Sequence, residues 1–322
     1  MFWKDKKVLV TGASGFIGFN LAAQLFDRGA LVDFTIHKTP LPMPLPLKGE
    51  CIGADLTIMS HCERAIQDSD ADYVFMCAAN TSGAAVMRNT PLAHVTPNIV
   101  MNTQMLDAAY HGGVKHFIFV SSSAAYPDTG IEAAREQDFF NGEPHPVYHL
   151  VGWMKRYTEI LCKSYARHVV DPMRMTVIRP SNVYGPWDKF DPQHSHMTAA
   201  MVRKVAERQD PIVVWGTGED VRDLIYIDDF IRGVLLATKN TANYFAVNIC
   251  SGDSYTVNDV LRTLLDIEDY DPEIIYDESK PSTIPVRRVS HYLAESLMGF
   301  KSTTNLREGL EKTLRWYRKW MQ

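Results

Sequence analysis

The sequence predicts an α/β fold with a doubly wound parallel sheet, followed by a smaller mixed α/β domain. Short apolar strands alternate with longer helical stretches from residue 7 onward, and these strands are apolar on both faces. Both features are typical of a parallel sheet that helices cover on each side. After Pro180 the alternation becomes irregular, the loops lengthen, and residues 271–285 are rich in proline and charge. This change predicts the second domain.

The elements follow one another in the order that this fold requires. Helical spacing of apolar residues predicts helices at residues 17–28 and 305–320. Apolar runs predict strands at residues 7–10, 30–36, 73–77, 117–120 and 176–178. Residues 39–47 contain four prolines, and because proline interrupts a helix we expect an irregular connection there.

Composition indicates a protein that folds in water around a sizeable core. The 322 residues are 46% hydrophobic and carry a formal net charge of -5, which disfavours bulk attraction to nucleic acid or to an anionic membrane. No stretch approaches the roughly 20 apolar residues that span a bilayer. Residues 1–7 lead into a strand rather than a signal peptide. We therefore predict a cytoplasmic protein with neither nucleic acid nor a membrane as its partner.

The five cysteines are scattered without a C-x-x-C pair. Reduced, mostly buried thiols are the simpler interpretation, and a disulfide or metal role is the alternative. His194 and His196 form an H-x-H pair, but no third ligand lies near them in the sequence. We therefore predict no metal site.

The first strand runs directly into a glycine-rich turn and then a helix. Glycines with the spacing G-x-x-G-x-x-G allow a tight turn and a close approach of the backbone to a pyrophosphate. The N–H groups at the start of the following helix bind the anion. This context predicts a Rossmann dinucleotide site. Its predicted contacts come from Gly12, Ser14, Gly15, Phe16, Ile17 and Gly18.

The end of the second strand bears on the choice between NADP(H) and NAD(H). NAD enzymes usually place a carboxylate there to accept hydrogen bonds from the ribose hydroxyls. Here Ile36 occupies that place and is followed by His37 and Lys38, while Asp33 lies too early in the strand. Two potential cations without a carboxylate favour a 2′-phosphate, so we expect NADP(H). The alternative is NAD(H), with Lys38 in a solvated loop.

Two further segments extend the predicted cofactor site. Asp55 and Leu56 stand where proteins of this architecture bind the adenine amino group, and Ala78 and Ala79 end the next apolar strand, where small side chains let the dinucleotide lie close. We accordingly assign residues 1–180 to a dinucleotide-binding domain, to which residues 222–248 return. Residues 181–221 and 249–322 are assigned to a substrate domain.

Four more motifs lie downstream in the positions that one enzyme family uses. They are FVSSSAAYP at 119–127, RPSNVYGP at 179–186, WGTG at 215–218 and RDLIYIDD at 222–229. With the glycine turn and Asp55, they make the chain resemble the extended short-chain dehydrogenase/reductase family over nearly its whole length. Within that family it is most similar to GDP-L-fucose synthases, which are NADP-dependent 3,5-epimerases and 4-reductases of a GDP-4-keto-6-deoxy sugar.

The resemblance implies roles for residues of the second half, with a nucleotide sugar as the substrate. Lys204 and Arg222 would neutralise the diphosphate, which requires fixed cationic donors. Asn182 would contact the substrate phosphate or the backbone, and Trp215 would stack near the base unless it packs in the core. His196 matches the general acid of the epimerase step, and histidine exchanges protons near neutral pH.

The hydride chemistry of this family rests on a Y-x-x-x-K pair, which is incomplete here. The matching lysine is Lys155, which would hold the nicotinamide ribose, but Val151 stands four residues earlier, where the tyrosine belongs. Valine cannot transfer a proton. Tyr148 is the nearest replacement, although its backbone lies about 10 Å from that of Lys155 along a continuous helix; His149 is a second candidate. The alternative is that Tyr148 only packs or caps.

A second departure lies in the segment 119–127. The resemblance aligns Ser122 with the catalytic serine, and it aligns Ala124 with the cysteine that GDP-L-fucose synthases use as their other epimerisation group. Ala124 and Ala125 also lack the acidic side chains of related dehydratases and decarboxylases. Ser122 or Ser123 still offers a hydroxyl to a sugar C4 oxygen. Simple oxidation or reduction at C4 is therefore the least demanding chemistry.

These observations leave three functions open. The leading one is an NADP(H)-dependent nucleotide-sugar oxidoreductase or epimerase that acts at or next to C4 of a GDP-sugar. The second is an epimerase or dehydratase-like enzyme that retains its cofactor without net redox. The third is a dinucleotide-binding protein that has lost the reaction. The resemblance also implies a homodimer, joined by a four-helix bundle of residues 96–110 and 152–168 from each subunit.

Overall fold

The computed structural model describes residues 2–43, 49–81, 90, 92–280 and 284–321. Its strands are β1 (Lys7–Thr11), β2 (Leu31–Ile36), β3 (Cys51–Gly53), β4 (Tyr73–Met76), β5 (His116–Val120), β6 (Ala133–Ala134), β7 (Arg174–Pro180), β8 (Asn182–Tyr184), β9 (Ile212–Trp215), β10 (Val221–Tyr226), β11 (Tyr244–Ile249), β12 (Ser254–Thr256), β13 (Ile274–Asp277) and β14 (Val286–Val289). Its α-helices are α1 (Phe16–Asp27), α2 (Met59–Ser69), α3 (Leu92–His111), α4 (His149–Arg167), α5 (Met197–Ala206), α6 (Ile227–Ala237), α7 (Val257–Glu268), α8 (Tyr292–Met298) and α9 (Leu306–Met321).

The large sheet is parallel throughout and has the order β11-β7-β5-β4-β1-β2-β3. Successive residues of its strands enter different hydrophobic clusters: in β1, Val8 and Val10 belong to one cluster and Leu9 to another. Side chains alternate across a strand, so both faces of this sheet are buried. The doubly wound fold that the apolar strands predicted is therefore confirmed.

The second part of the chain builds smaller sheets of mixed direction. One has the order β12-β10-β14-β6, with β8 also paired to β10, and β13 pairs with β9. Strand β10 is antiparallel to β12 and parallel to β14. The chain returns to the large sheet at β11, after β10 has joined the smaller one. The division into 1–180 with 222–248, and 181–221 with 249–322, remains a proposal.

The parallel direction of the large sheet decides where the predicted cofactor residues lie. The carboxyl ends of parallel strands share one edge, which is where ligands bind in such sheets. Gly12, His37, Asp55, Ala78 and Ser122 each follow directly after one of the strands β1 to β5. The fold therefore brings these five positions to the same edge.

The proline-rich connection after β2 and the absence of a membrane span were also expected from the sequence. Residues 39–43 are irregular, as the prolines predicted, and residues 44–47 of the same stretch lie outside the described part of the chain. Among the described residues, no helix is both long enough and apolar enough to cross a membrane.

Candidate functional site

The glycine turn after β1 is packed directly against the turn after β4. Gly12 has a φ of +67°, and a Cβ added there would lie 2.6 Å from the Cα of Ala78. A Cβ on Gly18 would overlap the carbonyl oxygen of Gly12. Thr11 Oγ1 joins the two turns by accepting hydrogen bonds from the N–H groups of Cys77 and Ala78, at 3.1 Å each. A side chain at Gly12 would therefore push the glycine turn away from Ala78, and one at Gly18 would push the helix away from Gly12.

Helix α1 starts inside this turn without a side-chain cap. Gly15 is its N-cap residue, and the first N–H groups, those of Phe16, Ile17 and Gly18, have no acceptor within the helix. The Ser14 hydroxyl donates to the carbonyl oxygen of Thr39 at 2.6 Å, which joins the turn to the segment after β2. Uncapped N–H groups and the positive end of the helix dipole fit a pyrophosphate.

The ends of β2 and β3 form the part of the edge where adenosine is expected. Asp55 Oδ1 accepts hydrogen bonds from the Thr57 hydroxyl at 2.7 Å and the Thr57 N–H at 3.0 Å, and these bonds lower the pKa of the Asp55 carboxyl. His37 Nε2 lies 3.5 Å from Asp55 Oδ2. Asp33 accepts from the Glu50 N–H instead of facing this end. An ionised acceptor for adenine thus lies beside an imidazole.

Three other predicted cofactor residues differ in what they offer. Lys38 and Ala79 are exposed, so the Lys38 ammonium is free to approach a 2′-phosphate and Ala79 leaves room beside the edge. Leu56 is buried in a hydrophobic cluster, which leaves its backbone for any cofactor contact. Taken together, the residues at this edge fit a nicotinamide dinucleotide.

Lys155 lies on the face of α4 that packs against β5. Its Nζ donates to the carbonyl oxygen of Val120 at 2.8 Å and lies 4.8 Å from the centroid of the Phe119 ring. Burial lowers the pKa of Lys155 to about 8, although Glu159, Cys162 and Cys77 act in the opposite direction. Because Val120 ends β5, the ammonium lies at the edge that carries the cofactor residues.

Ser122 begins the short 3₁₀ turn that follows β5. Its Oγ accepts a hydrogen bond from the Ala124 N–H at 3.1 Å, which leaves the hydroxyl proton available for donation. Ser123 is only 8% exposed, so of the two predicted serines Ser122 is the more accessible. The neighbouring Ser121 hydroxyl donates to Glu159 at 2.5 Å and belongs to the buried support of the site.

Two buried arginines hold this turn in place. Arg156 donates from Nε to the carbonyl oxygen of Ala125 at 3.0 Å and from Nη1 to that of Gly142 at 2.6 Å. Arg179 forms a buried ion pair with Glu159, with Nη2 and Oε2 2.6 Å apart. These contacts fix the Ser122 turn against the helix that carries Lys155.

The structure separates Tyr148 from Lys155. Tyr148 is the N-cap of α4 and ends a 3₁₀ turn, whereas Lys155 lies about two turns further along the helix. Tyr148 lies close enough to Arg287 to affect the pKa of its guanidinium. Half-buried Val151 lies one turn before Lys155. His149 lies with its Nδ1 3.4 Å from a carboxylate oxygen of Glu143, on an exposed part of the surface.

The predicted substrate residues fall into two pairs. Asn182 of β8 and Arg222 of β10 lie on adjacent strands, and the Asn182 amide donates to the carbonyl oxygen of Asp223 at 3.0 Å. Lys204 of α5 donates to the carbonyl oxygen of Val213 in β9, two residues before Trp215. Trp215 is 46% exposed, so it is not a core residue and its ring is accessible for stacking.

Arg287 lies next to the Ser122 turn, and the sequence interpretation did not single it out. It lies opposite Arg222 in the pairing of β14 with β10 and is 4% exposed. Its guanidinium donates to the carbonyl oxygens of Pro127 at 2.8 Å and Tyr126 at 3.4 Å, and its Nε has no partner among the described residues. The guanidinium of Arg222, on the adjacent strand, forms an ion pair with Asp220 at 3.2 Å.

His196 lies at the start of α5, in a segment that meets the cofactor domain. The Lys189 ammonium donates to the carbonyl oxygen and hydroxyl of Thr81, at 2.7 and 3.0 Å. Desolvation by surrounding protein atoms lowers the pKa of His196, and the positive charge of Lys189 lowers it further. The residue nevertheless remains exposed to solvent. Burial raises the pKa of Asp188 to about 7.

Comparison with known proteins identifies the family. The sequence profile of the NAD dependent epimerase/dehydratase family matches residues 8–250. The chain belongs to this family. It is 27% identical to a probable GDP-L-fucose synthase 1 of Oryza sativa subsp. japonica, over 98% of this chain and 92% of that protein. It is 29% identical to GDP-mannose 3,5-epimerase 1 of Oryza sativa subsp. indica, over 98% of this chain and 83% of that protein.

A solved structure extends the comparison to the whole fold. The UDP-glucose 4-epimerase of Thermotoga maritima, determined with UDP-glucose, superposes with a TM-score of 0.87 at 27% identity, covering 98% of this chain and 99% of the other. The relatives are nucleotide-sugar epimerases and reductases, so this chain is an enzyme of the same family with a nicotinamide dinucleotide as its cofactor.

Proposed function

We propose that this enzyme is an NADP(H)-dependent oxidoreductase or epimerase that acts at or next to C4 of a GDP-sugar. The observation that carries the proposal is the joint placement of Lys155 and Ser122 at the carboxyl end of β5. This end lies on the same edge as the glycine turn, and the guanidiniums of Arg222 and Arg287 lie on adjacent strands of the smaller sheet. The similarity to GDP-sugar enzymes supports the choice of base.

The cofactor would be held along the carboxyl edge of the large sheet. The uncapped start of α1 would bind its pyrophosphate, Asp55 would accept from the adenine amino group, and His37 with Lys38 would bind a 2′-phosphate. Lys155 would donate to the nicotinamide ribose. When bound, the nicotinamide would exchange a hydride with the sugar carbon.

The sugar nucleotide would lie between this edge and the smaller sheet. Arg222 and Arg287 would bind the diphosphate, Lys204 and Asn182 would add polar contacts, and Trp215 would stack near the base. The sugar would then lie near Ser122, whose hydroxyl would donate a hydrogen bond to the C4 oxygen. His196 would exchange a proton next to a C4 carbonyl, as the general acid of an epimerase step. Tyr148, near Arg287, would contact the substrate at the entrance.

The similarity to UDP-glucose 4-epimerase favours a second candidate, an epimerase that returns the hydride to the sugar and keeps its cofactor bound. Ala124 agrees with this candidate, because the second base of a 3,5-epimerase is missing at that position. This candidate predicts that the cofactor remains bound through purification and that product forms without a net change in nicotinamide absorbance. An oxidoreductase would instead change that absorbance.

We propose a homodimer formed through α3 and α4. These helices pack on each other, and α4 exposes an apolar stripe at spacings of three and four residues. The stripe consists of Leu150, Trp153, Tyr157 and Ile160, each between 40 and 51% exposed. Large apolar side chains on one helix face are typical of an interface.

The test is turnover with a panel of 4-keto and 4-hydroxy GDP- and UDP-sugars, followed by nicotinamide absorbance and by product analysis. Ser122→Ala should lower kcat about 100-fold, whereas Ser123→Ala, at the buried neighbouring serine, should keep most of the activity. Absence of any product or nicotinamide change with every sugar would refute the proposal and favour a protein that binds the dinucleotide without reaction.

A further inference from the structure

We propose that the Lys155 ammonium is itself the acid–base group for the reacting sugar oxygen, in the place of the tyrosine that Val151 has replaced. This assignment rests on the proposed function, because it requires a sugar oxygen at the edge of the large sheet. It differs from the supporting role of holding the ribose, in which a lysine transfers no proton.

The geometry of α4 leaves Lys155 in contact with the space that a tyrosine would fill. Residues four apart lie on the same helix face, so Val151 and Lys155 are one turn apart. A valine side chain ends at Cγ, several bonds short of a phenol oxygen. With valine there, a sugar oxygen that approached this face of α4 would meet the Lys155 ammonium and no phenol.

The hydrogen bonds of Lys155 leave it able to donate. An ammonium has three N–H donors, and the contact with the Val120 carbonyl oxygen at 2.8 Å occupies one. The remaining two suffice for the ribose and for a sugar oxygen. Val120 lies two residues before Ser122, so we expect the same sugar oxygen to accept a hydrogen bond from the Ser122 hydroxyl.

The other titratable groups around Lys155 are Glu159, Cys77 and Cys162. Glu159, on the same helix face, is engaged by Arg179 of β7 and by the Ser121 hydroxyl. Burial raises the pKa of Cys77, at the end of β4, to about 12, and raises that of Cys162 well above its usual value. The pKa of Lys155 is about 8. It is therefore mostly protonated at pH 7 and still a competent acid.

The chemical step balances without a further reactant. In the direction of reduction, an N–H bond of Nζ breaks and an O–H bond forms at the sugar oxygen, while the reduced dinucleotide of the proposed function supplies the hydride for the carbon. The neutral amine then regains a proton from water. In the direction of oxidation, the neutral amine accepts the proton from the hydroxyl.

The first experiment measures the pKa of Lys155 without any reaction. Competitive labelling of the purified protein with acetic anhydride over a range of pH, read by mass spectrometry of the Lys155 peptide, gives this value. We expect about 8, and the exposed Lys163 on the same helix serves as the internal control for labelling. A Lys155 value near 10.4 would overturn the assignment.

The second experiment asks whether the lysine transfers the proton. Lys155→Ala should lose at least 100-fold in kcat and should be rescued by added primary amines, with rescue rates that depend on the amine pKa. If Lys155→Ala still binds the cofactor but no amine restores its activity, Lys155 serves in ribose binding only. The same conclusion follows if the rescue rate depends on amine size alone. Tyr148→Phe separates the two candidate acids, because a 100-fold loss of kcat in that variant would transfer the role to Tyr148.

The two proposals fail in different ways. If the wild-type enzyme turns over no nucleotide sugar, the proposed function is refuted, and with it the reaction assigned to Lys155. If it turns over a sugar while labelling gives an ordinary lysine pKa, only the assignment of Lys155 is refuted.

Discussion

Gly12→Ala tests whether the contact between the turns after β1 and β4 controls cofactor binding. A Cβ on Gly12 would lie 2.6 Å from the Cα of Ala78, whereas ordinary contacts lie at 3.4–4 Å, so the two backbones must separate by about 1 Å. Alanine at a φ of +67° adds about 1–2 kcal/mol of backbone strain. The turn that shifts is the one that would bind the pyrophosphate.

The expected size of the effect follows from the hydrogen bonds at stake. Each bond from an N–H group to a charged phosphate contributes about 1.5–3 kcal/mol. Loss of one such bond weakens NADPH binding by about 10- to 100-fold, and loss of two by about 100- to 10,000-fold, since 1.4 kcal/mol is a factor of ten. Isothermal titration of the variant and wild-type proteins with NADPH measures this change.

Gly113→Ala is the matched control. Gly113 has a φ of +75°, and a Cβ there would meet nothing within 4 Å, so alanine brings the same backbone strain without the overlap. We expect it to lower the free energy of unfolding by about 1–2 kcal/mol and to leave the NADPH Kd unchanged. NADPH binding by Gly12→Ala within twofold of wild type would refute the role of this contact.

Three further predictions concern cofactor choice, assembly and pH. Lys38→Ala should weaken NADPH binding about tenfold and leave NADH binding unchanged, and equal effects on the two would contradict a 2′-phosphate site. Ile160→Glu should give a monomer in sedimentation velocity, whereas Leu297→Glu, at an exposed leucine of α8, should not; a monomeric wild type would exclude the dimer. Burial lowers the pKa of His116 from 6.5 to about 3, so its neutral form stabilises the fold above pH 6.5 and this stability is lost as the pH falls towards 3. Between pH 7.5 and 5, urea unfolding should show a loss of about 2 kcal/mol that is absent in His116→Gln; equal losses in both proteins would contradict this.

The parts of the fold that local pattern determines could be predicted from the sequence. Each apolar run became a strand of the large sheet, because strands buried on both faces need no polar positions, as Val8, Leu9 and Val10 show. The turn at Gly12 is equally local, since its shape depends on glycines a few residues apart. The gap at Val151 could be found by counting back from Lys155.

The parts that depend on distant pairing could not be predicted. Arg287 reaches the site because β14 pairs with β10 and brings it opposite Arg222, far away in the sequence. A double arginine at 287–288 was the available signal, but the register that uses it is a property of the folded sheet. The position of Tyr148 at the N-cap, just before the helix, likewise depended on where α4 begins, and helix starts are poorly defined by propensity alone.

The most direct test of the central claim is mass spectrometry and NMR of GDP-sugars incubated with the enzyme and with NADPH deuterated at nicotinamide C4. The proposed function predicts a new nucleotide sugar: deuterium at sugar C4 would identify the oxidoreductase, and a product without deuterium would identify an epimerase that keeps its own cofactor. Recovery of every GDP-sugar unchanged, with NADPH bound to the protein, would contradict the claim that this edge of the sheet carries out sugar chemistry.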